Sequence, residues 1–386
     1  MGVSSCNNLC GCKKYLPFNN SSNLDSKPTN NYIINSDLIQ HKNYNNFTKK
    51  FEANLHTFGD YCDINDLKQK IPQIANNYMI ENVLSIPENI LINRNTFEMK
   101  PIKFENGNIY CGNWNEKYKM DGLGQYYLKE GNLFIEGIWD DGKLIYGRIF
   151  YSNDNIYEGQ IKDSNYNGKG KLLFNNGEIY EGDFLNGSIT GSGVFTFSDG
   201  TIYEGEFIQG VFKGHGIMKW INGIFFEGEF NGIFLSNYGK LIGDNGEKYE
   251  GNFYYNYFHG KGIYTFIDNS TYEGEFEFGL RSGKGIYKKK DEFIFEGEWA
   301  NDVPHGFGKY YYNNYIIKGV WRNGINVEII SFEKGNSTLF NKFQLNFEIK
   351  SFNLLPHMLP NLEKMDSKIK KFDTEITLNY LNTFSE

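Results

Sequence analysis

The chain has 386 residues and a formal net charge of −8 at pH 7, so a nucleic-acid partner, which favours basic surfaces, is not expected. Its mean hydropathy is −0.53, and no apolar run reaches the length of about 18 residues that a transmembrane helix needs. Its 43 Gly recur at regular intervals beside only 8 Pro, which indicates a repeat architecture rather than globular domains joined by linkers.

The N-terminus, MGVSSCNNLCGCKK, has the features of a lipid anchor. Gly2 is the acceptor position for a myristoyl chain, although Cys6 stands where that motif usually has Ser or Thr. Cys10, Cys12 and the basic pair Lys13–Lys14 follow, and a second acyl chain or basic residues make attachment stable where one myristoyl chain is marginal. The pattern resembles that of myristoylated and palmitoylated proteins, and it predicts lipidation at Gly2, Cys6, Cys10 and Cys12.

Two other interpretations of this segment stay open. One is a disordered tail with unrelated cysteines. The other is a metal site, but Cys10-Gly11-Cys12 lacks CxxC spacing and has no partner pair, so no metal is expected. No secretory apolar segment follows the first residue, which favours the cytoplasmic face of a membrane, either the plasma membrane or an inner membrane system.

Residues 1–50 are expected to form the acylated N-terminus and a flexible tether. They carry six Lys against two Asp, a net charge of +4 that suits an anionic leaflet. Residues 51–100 are a mixed flanking segment. Here Asp60–Ile71 predicts one short helix that Pro72 ends, and Ser85–Glu88 predicts the start of another.

A repeat of 23 residues fills the segment 101–330. YEGDF at Tyr180, YEGEF at Tyr203 and FEGEF at Phe226 keep this spacing without slippage. Further copies begin at 157, 249, 272 and 295, and weaker ones at 110, 135 and 317, which makes ten copies.

One copy shows how the repeat folds. Tyr249, Gly251 and Phe253 alternate with polar residues, which indicates a strand with one aromatic and one polar face. A second strand follows Gly262, and Asn-Gly or Asp-Gly joins successive copies, which is a strong hairpin signal. The neighbouring rings should lie over the glycines, which have no side chains. The sequence predicts an all-β fold: an elongated, single-layer, twisted antiparallel meander of about twenty strands with short helical flanks.

The pattern resembles the MORN repeat (membrane occupation and recognition nexus), whose core is roughly YEGxWxxGxxxGxG. Gly205, Gly210, Gly214 and Gly216 supply its full glycine set in one copy. The copy at 226 departs, because Asn237-Tyr238-Gly239 replaces its Gly-x-Gly, and a distorted second strand is expected there. The resemblance implies a scaffold similar to the MORN proteins of cytoskeletal and inner-membrane structures, including those of apicomplexan parasites.

The two faces of the array differ in chemistry. Residues 104–326 carry 21 Lys and Arg against 30 Asp and Glu, a net charge of −9, so direct binding to anionic lipid is disfavoured. The aromatic face predicts a groove for a protein partner, either a helix or an extended peptide. The alternative is a self-packed ladder of rings without a partner. The rings predicted to bind the partner are Tyr203, Phe207, Tyr249, Phe253, Tyr272, Phe276, Phe295 and Trp299.

No catalytic constellation accompanies the repeats. His215, His259 and His305 recur because the Gly-x-Gly turn recurs, and about four strands separate successive ones, so they are not expected to share a metal. No Gly-Lys-Ser/Thr sequence follows a glycine-rich loop. We therefore expect a non-catalytic scaffold without a cofactor. Two alternatives are a phospholipid-binding module and a regulatory subunit that recruits an enzyme to the membrane.

The C-terminal segment, 331–386, ends in a predicted amphipathic helix. Its apolar residues recur at helical spacing from Asn361 onward, at Leu362, Met365, Ile369, Phe372 and Ile376. Such a helix either caps the last repeats or pairs with another chain, which would give a homodimer.

Overall fold

The computed structural model describes residues 59–333, with gaps at 83, 88–89, 91–95, 291 and 313–314. These residues divide into two compact units between Ser188 and Ile189. In both units each strand of the repeat pairs antiparallel with the next, so the predicted antiparallel meander is confirmed.

The first unit has two short helices and ten strands. The helices are α1 (Ile64–Lys68) and α2 (Gln73–Glu81). The strands are β1 (Gly59–Tyr61), β2 (Phe97–Glu98), β3 (Ile102–Phe104), β4 (Ile109–Trp114), β5 (Met120–Leu128), β6 (Leu133–Asp140), β7 (Lys143–Phe150), β8 (Ile156–Lys162), β9 (Asn165–Leu173) and β10 (Ile179–Leu185).

The second unit consists of strands alone within the described residues. They are β11 (Ser188–Thr196), β12 (Ile202–Ile208), β13 (Val211–Lys219), β14 (Phe225–Asn231), β15 (Phe234–Ile242), β16 (Lys248–Tyr254), β17 (Tyr257–Thr265), β18 (Thr271–Glu277), β19 (Leu280–Lys289), β20 (Phe293–Ala300), β21 (Val303–Tyr312), β22 (Tyr315–Arg322) and β23 (Ile325–Glu333). From β4 onward, each copy of the repeat supplies two of these strands.

The glycines of successive copies pair across the strands. Gly262 lies opposite Gly251 on one side and Gly274 on the other, and this row continues through Gly285 and Gly297. On the aromatic face the Tyr249 ring covers two of them: a Cβ atom at Gly262 would lie 2.5 Å from its Oη atom, and one at Gly251 would lie 2.6 Å away. The expectation that rings lie over the glycines is confirmed.

A bulge follows the glycine row in nine of the copies. The register between β12 and β13 shifts after Gly205, and Gly214 has a φ of 67°, a left-handed conformation that glycine adopts without steric cost. The expected distortion of the copy at 226 is wrong. Asn237 takes the same place with a φ of 54°, which asparagine tolerates, and β15 keeps its full length and the pairing of Gly228 with Gly239.

The flanking helices differ from the sequence expectation. The predicted helix Asp60–Ile71 is reduced to the five residues of α1, which begins where Asp63 accepts a hydrogen bond from the Asn65 amide at 2.8 Å. Pro72 is the N-cap of α2 rather than the end of a helix. Proline has no backbone N–H, and the start of a helix tolerates this because the first N–H groups have no partner within the helix. The helix start predicted at Ser85 is wrong, since residues 84–87 are not helical.

Candidate functional site

The eight aromatic rings predicted to bind a partner lie inside the units. None is more than 5% exposed. The Tyr249 ring stacks on Phe258 at a centroid distance of 3.8 Å and meets Phe253 and Phe276 edge-on at 5.1 and 5.2 Å. This arrangement is the self-packed ladder, so the accessible surface of the array lies on the opposite face.

That opposite face forms a groove in the second unit. The groove crosses β15 to β23, has a volume of about 980 Å³, and has the backbone of the glycine row as its floor. Two rows of side chains flank the glycines. The first row is Glu250, Ile263, Glu273, Ile286, Glu296 and Lys309; the second row is Lys261, Glu275, Lys284, Glu298 and Phe307.

Apolar side chains are exposed in this groove. Ile263 is 45% exposed and Phe307 63%, and Ile330 and Tyr238 extend the apolar surface at its two ends. Exposed apolar side chains that cluster within one concavity, rather than singly, are typical of an interaction surface.

The carboxylates of the groove have different environments. Those of Glu275 and Glu298 accept weak hydrogen bonds from the backbone N–H groups of Lys284 and Phe307, at 3.4 and 3.3 Å, beside the bulge of the next strand. The Tyr238 hydroxyl donates to Glu250 at 2.7 Å, and this hydrogen bond to a carboxylate raises the pKa of Tyr238. These three acids are therefore held by the fold itself.

Glu273 is different. It lies exposed between Ile263 on β17 and Ile286 on β19, and it makes no hydrogen bond or ion pair with any residue that the structure describes. Such a carboxylate favours a ligand that places a cation next to Glu273 and apolar groups against the two isoleucines.

In the first unit the chain itself covers the corresponding face. Arg148 replaces the apolar residue of the first row and is 1% exposed. It donates to Glu136 at 2.9 Å and to Glu158 at 2.9 Å on the neighbouring strands, and to the carbonyl of Asn82 at 3.0 Å. Its guanidinium group lies 4.9 Å from the centre of the Tyr78 ring on α2. A helix thus docks over this row through an arginine that two carboxylates share.

The second row of the first unit is covered by an extended segment. Leu84 and Ile86 pack on Ile138 and Tyr146, whose hydroxyl donates to the Ser85 carbonyl at 3.0 Å. The sequence did not predict this cover, although a signal was present. Ile138 and Tyr146 stand where other copies have charged residues, as at Glu275 and Lys284.

Sequence reasoning also missed Arg281 on the aromatic face. It is buried where other copies have Phe212 or Phe258, and it pairs with Asp302 at 3.1 Å. Its guanidinium group lies 4.7 Å from the centre of the Trp299 ring. This is a structural ion pair in the ladder and not part of the groove.

The described part of the chain contains neither a cluster of metal-ligand side chains nor a membrane-spanning helix. No three or more His, Cys, Asp or Glu side chains come together there as a metal site would need. His215, His259 and His305 lie on three different strands, β13, β17 and β21. None of the helices within 59–333 is long and apolar enough to cross a bilayer. Gly2, Cys6, Cys10, Cys12, the tether and the predicted helix 361–376 lie outside the described residues.

Comparisons with known structures give only distant matches. The TCP10 domain of Danio rerio CPAP, in complex with a peptide of STIL, has 11% identity over 64% of this chain and 97% of that chain, with a TM-score of 0.30. The TCP domain of Drosophila melanogaster SAS-4, in complex with a proline-rich motif of Ana2, has 15% identity over 41% of this chain and 85% of that chain, with a TM-score of 0.26. No curated protein sequence matches the chain.

The family comparison is more specific. The MORN repeat model matches six segments: 157–179, 180–202, 203–224, 249–271, 272–292 and 295–316. It omits the copies at 110, 135, 226 and 317, which are the ones that depart from the motif, although all four form hairpins. The first three pair a glycine with a glycine, whereas Gly319 in the fourth lies opposite Ile329. The chain therefore carries six MORN repeats within a meander of ten similar hairpins.

Proposed function

We propose that the chain is a non-catalytic scaffold that its acylated N-terminus holds on the cytoplasmic face of a membrane, and that it binds a protein partner in the groove of the second unit. The observation that carries the binding role is the contrast between the two units. The same face is covered by α2 and residues 84–86 in the first unit, whereas no described residue covers Ile263 and Phe307 in the second.

The covered face indicates what kind of segment the open one accepts. In the first unit a helix lies over the first row and an extended stretch over the second. We infer that the partner presents a helix with an apolar stripe and at least one basic residue, because Glu273 needs a cation and the flanking isoleucines need apolar cover.

The membrane role rests on the sequence of residues 1–50. Gly2, with Cys6, Cys10 and Cys12 as acceptors for a second acyl chain, supplies the two signals that stable attachment needs. The acidic array is a poor ligand for anionic headgroups, so the anchor and the binding surface are separate parts of the chain. Fractionation of the native cell tests this division: Gly2→Ala should move the protein from the membrane to the soluble fraction, and retention on the membrane would contradict it.

The groove is tested by comparing two variants of the full chain by proximity labelling in the native cell. Ile263→Lys with Ile286→Lys places charge in the groove, whereas Ile221→Lys changes a turn residue that is 71% exposed and outside it. The same neighbour should be lost from the groove variant and retained by the control. If both variants keep every neighbour of the wild type, the groove is not the binding surface; if that neighbour is an enzyme, the chain recruits it.

A further inference from the structure

We propose that the groove of the second unit is closed in the free protein by the chain's own C-terminal residues 361–376, so that a partner must displace this segment to bind. The partner's part in this inference rests on the proposed function. The occupant is inferred from the described groove and from the sequence of residues 334–376. It makes the two units alike, since each would have its polar face covered by a terminal segment of the same chain.

The connection and the length of the chain allow this placement. The last described strand, β23, ends at Glu333, and Ile330 on that strand lines the groove. Residues 334–360 then separate the end of β23 from Asn361, and they can span up to about 90 Å when extended. A helix over 361–376 would be about 24 Å long. The part of the groove from β16 to β21 spans five strand spacings, about 24 Å, so a helix of this length would cover that part and not the whole groove.

The spacing of the tail matches the spacing of the repeat. One copy of the repeat advances the groove by two strands, about 9.6 Å. Seven residues of a helix advance by about 10.5 Å. The apolar stripe Leu362, Met365, Ile369, Phe372 and Ile376 has this seven-residue recurrence. In a helix that runs along the glycine row, each seven-residue segment would therefore lie over one copy of the repeat. Its apolar stripe would contact Ile263 and Ile286.

The charges beside the stripe match the two rows. On one flank Lys364 and Lys371 are seven residues apart, Lys368 lies between them, and Glu375 is the one acidic residue on that side, so the flank is basic on balance. Glu250, Glu273 and Glu296 recur every second strand of the first row.

On the other flank of the helix, Asp366 and Asp373 are also seven residues apart. Lys261 and Lys284 recur every second strand of the second row, and Glu275 and Glu298, which alternate with them, already accept hydrogen bonds from backbone N–H groups. One direction of the helix sets its basic flank over the acidic row and its acidic flank over the lysines. In this direction a lysine of the helix reaches Glu273, as Arg148 reaches Glu136 and Glu158 in the first unit.

The test is zero-length carbodiimide cross-linking of the full chain, which joins a lysine to a carboxylate in direct contact. Mixing unlabelled and ¹⁵N-labelled chains separates links within one chain from links between two. We expect links from Lys364 or Lys371 to Glu250, Glu273 or Glu296 within one chain. Ile369→Asp, on the stripe, should reduce them at least about tenfold, which corresponds to about 1.4 kcal/mol, and Thr374→Asp, on the far side of the helix, should leave them unchanged.

Three results would overturn the proposal: absence of these links, links found only between chains, which would place a second copy in the groove, and equal loss in both variants. The outcome is separate from that of the labelling experiment. If the links form within one chain and the groove variant keeps all its neighbours, this inference stands and the proposed function is wrong. If the links are absent and the groove variant loses a neighbour, the proposed function stands and this inference is wrong.

Discussion

At the scale of single residues, a tyrosine and two glycines form the unit of the array. The Tyr249 ring occupies the space above Gly251 and Gly262, and its hydroxyl donates to the Asn252 carbonyl at 2.8 Å. Phe226 and Phe295 fill the same place without a hydroxyl, so the contact of the ring with the glycines is the shared feature. The alternation of the sequence and the hairpin pairing within one copy predicted this arrangement, because it needs only the register of two neighbouring strands.

The first prediction concerns this contact. Gly262→Ala should destabilise the protein by about 1–3 kcal/mol, because its new Cβ atom meets the Tyr249 ring in a packed core. Tyr249→Phe is the control and should cost about 0.5–1.5 kcal/mol, since it removes one hydrogen bond and keeps the ring. Urea unfolding midpoints measure both. A smaller effect for Gly262→Ala than for Tyr249→Phe would show that the ring moves aside freely.

The buried ion pair between Arg281 and Asp302 gives the second prediction. Arg281→Phe alone leaves the Asp302 carboxylate buried without its cation and should cost about 3–5 kcal/mol. Adding Asp302→Asn should recover most of this loss, because the equivalent pair two copies earlier already combines an apolar residue, Leu235, with Asn256, whose side chain accepts a hydrogen bond from the Leu235 amide. Thermal unfolding of the two single variants and the double variant measures the coupling, and simple additivity would contradict this account.

At the scale of the hairpin, left-handed residues decide where the strands turn. In five copies the first turn residue is Asp or Asn, as at Asp163 with a φ of 47°, and asparagine and aspartate tolerate this conformation. Tyr255 and Phe278 hold the same place with φ values of 47° and 48°. The sequence predicted the Asn-Gly junctions between copies. It did not predict the turns within copies, because aromatic residues are rare at positive φ.

The third prediction concerns one of these turns. Tyr255→Asn should stabilise the protein by about 1 kcal/mol, because asparagine relieves the steric cost of the left-handed conformation. Tyr255 is 54% exposed, and its ring contacts are with Phe234 and Tyr254, which are themselves exposed, so little burial is lost. A rise in melting temperature would support this reasoning, whereas a fall would show that the ring contacts outweigh the strain of the turn.

At the scale of the whole molecule, buried tyrosines in both units link stability to alkaline pH. Burial raises the pKa of Tyr146 to about 12 and that of Tyr310 to about 12, above the value of 10.0 for an exposed tyrosine. The folded state therefore keeps these protons at a pH where the unfolded chain releases them. Their contribution to stability is fully present below pH 10 and is lost as the pH rises towards 12.

The fourth prediction follows from this loss of stability at alkaline pH. The urea midpoint should be constant from pH 8 to about pH 9.5 and then fall steadily as the pH rises further, while the tyrosine absorbance change lags behind that of the unfolded chain. A midpoint that stays constant up to pH 11.5, or an ionisation curve like that of free tyrosine, would contradict the burial of the hydroxyl groups.

The meander and the chemistry of its two faces could be predicted from the sequence. Which of the two faces is accessible to a partner could not. Alternation within a strand places Tyr249 and Glu250 on opposite faces, but whether rings close over each other depends on the bulges that bend every second strand. The cover of the first unit also escaped prediction, because it depends on contacts between Arg148 and Asn82, 66 residues apart, that no local pattern encodes.

The central claim is that the polar face of the second unit is a docking surface for a helix of a protein partner. The most direct measurement is site-specific photo-cross-linking in the native cell, with a photoreactive residue at Ile263 in the groove and, in a second variant, at Ile221 outside it. The account predicts an adduct with one partner protein from Ile263 that is absent from Ile221 and is lost when Glu273→Lys is added. Adducts of equal yield from both positions, or an adduct from Ile221 alone, would contradict it.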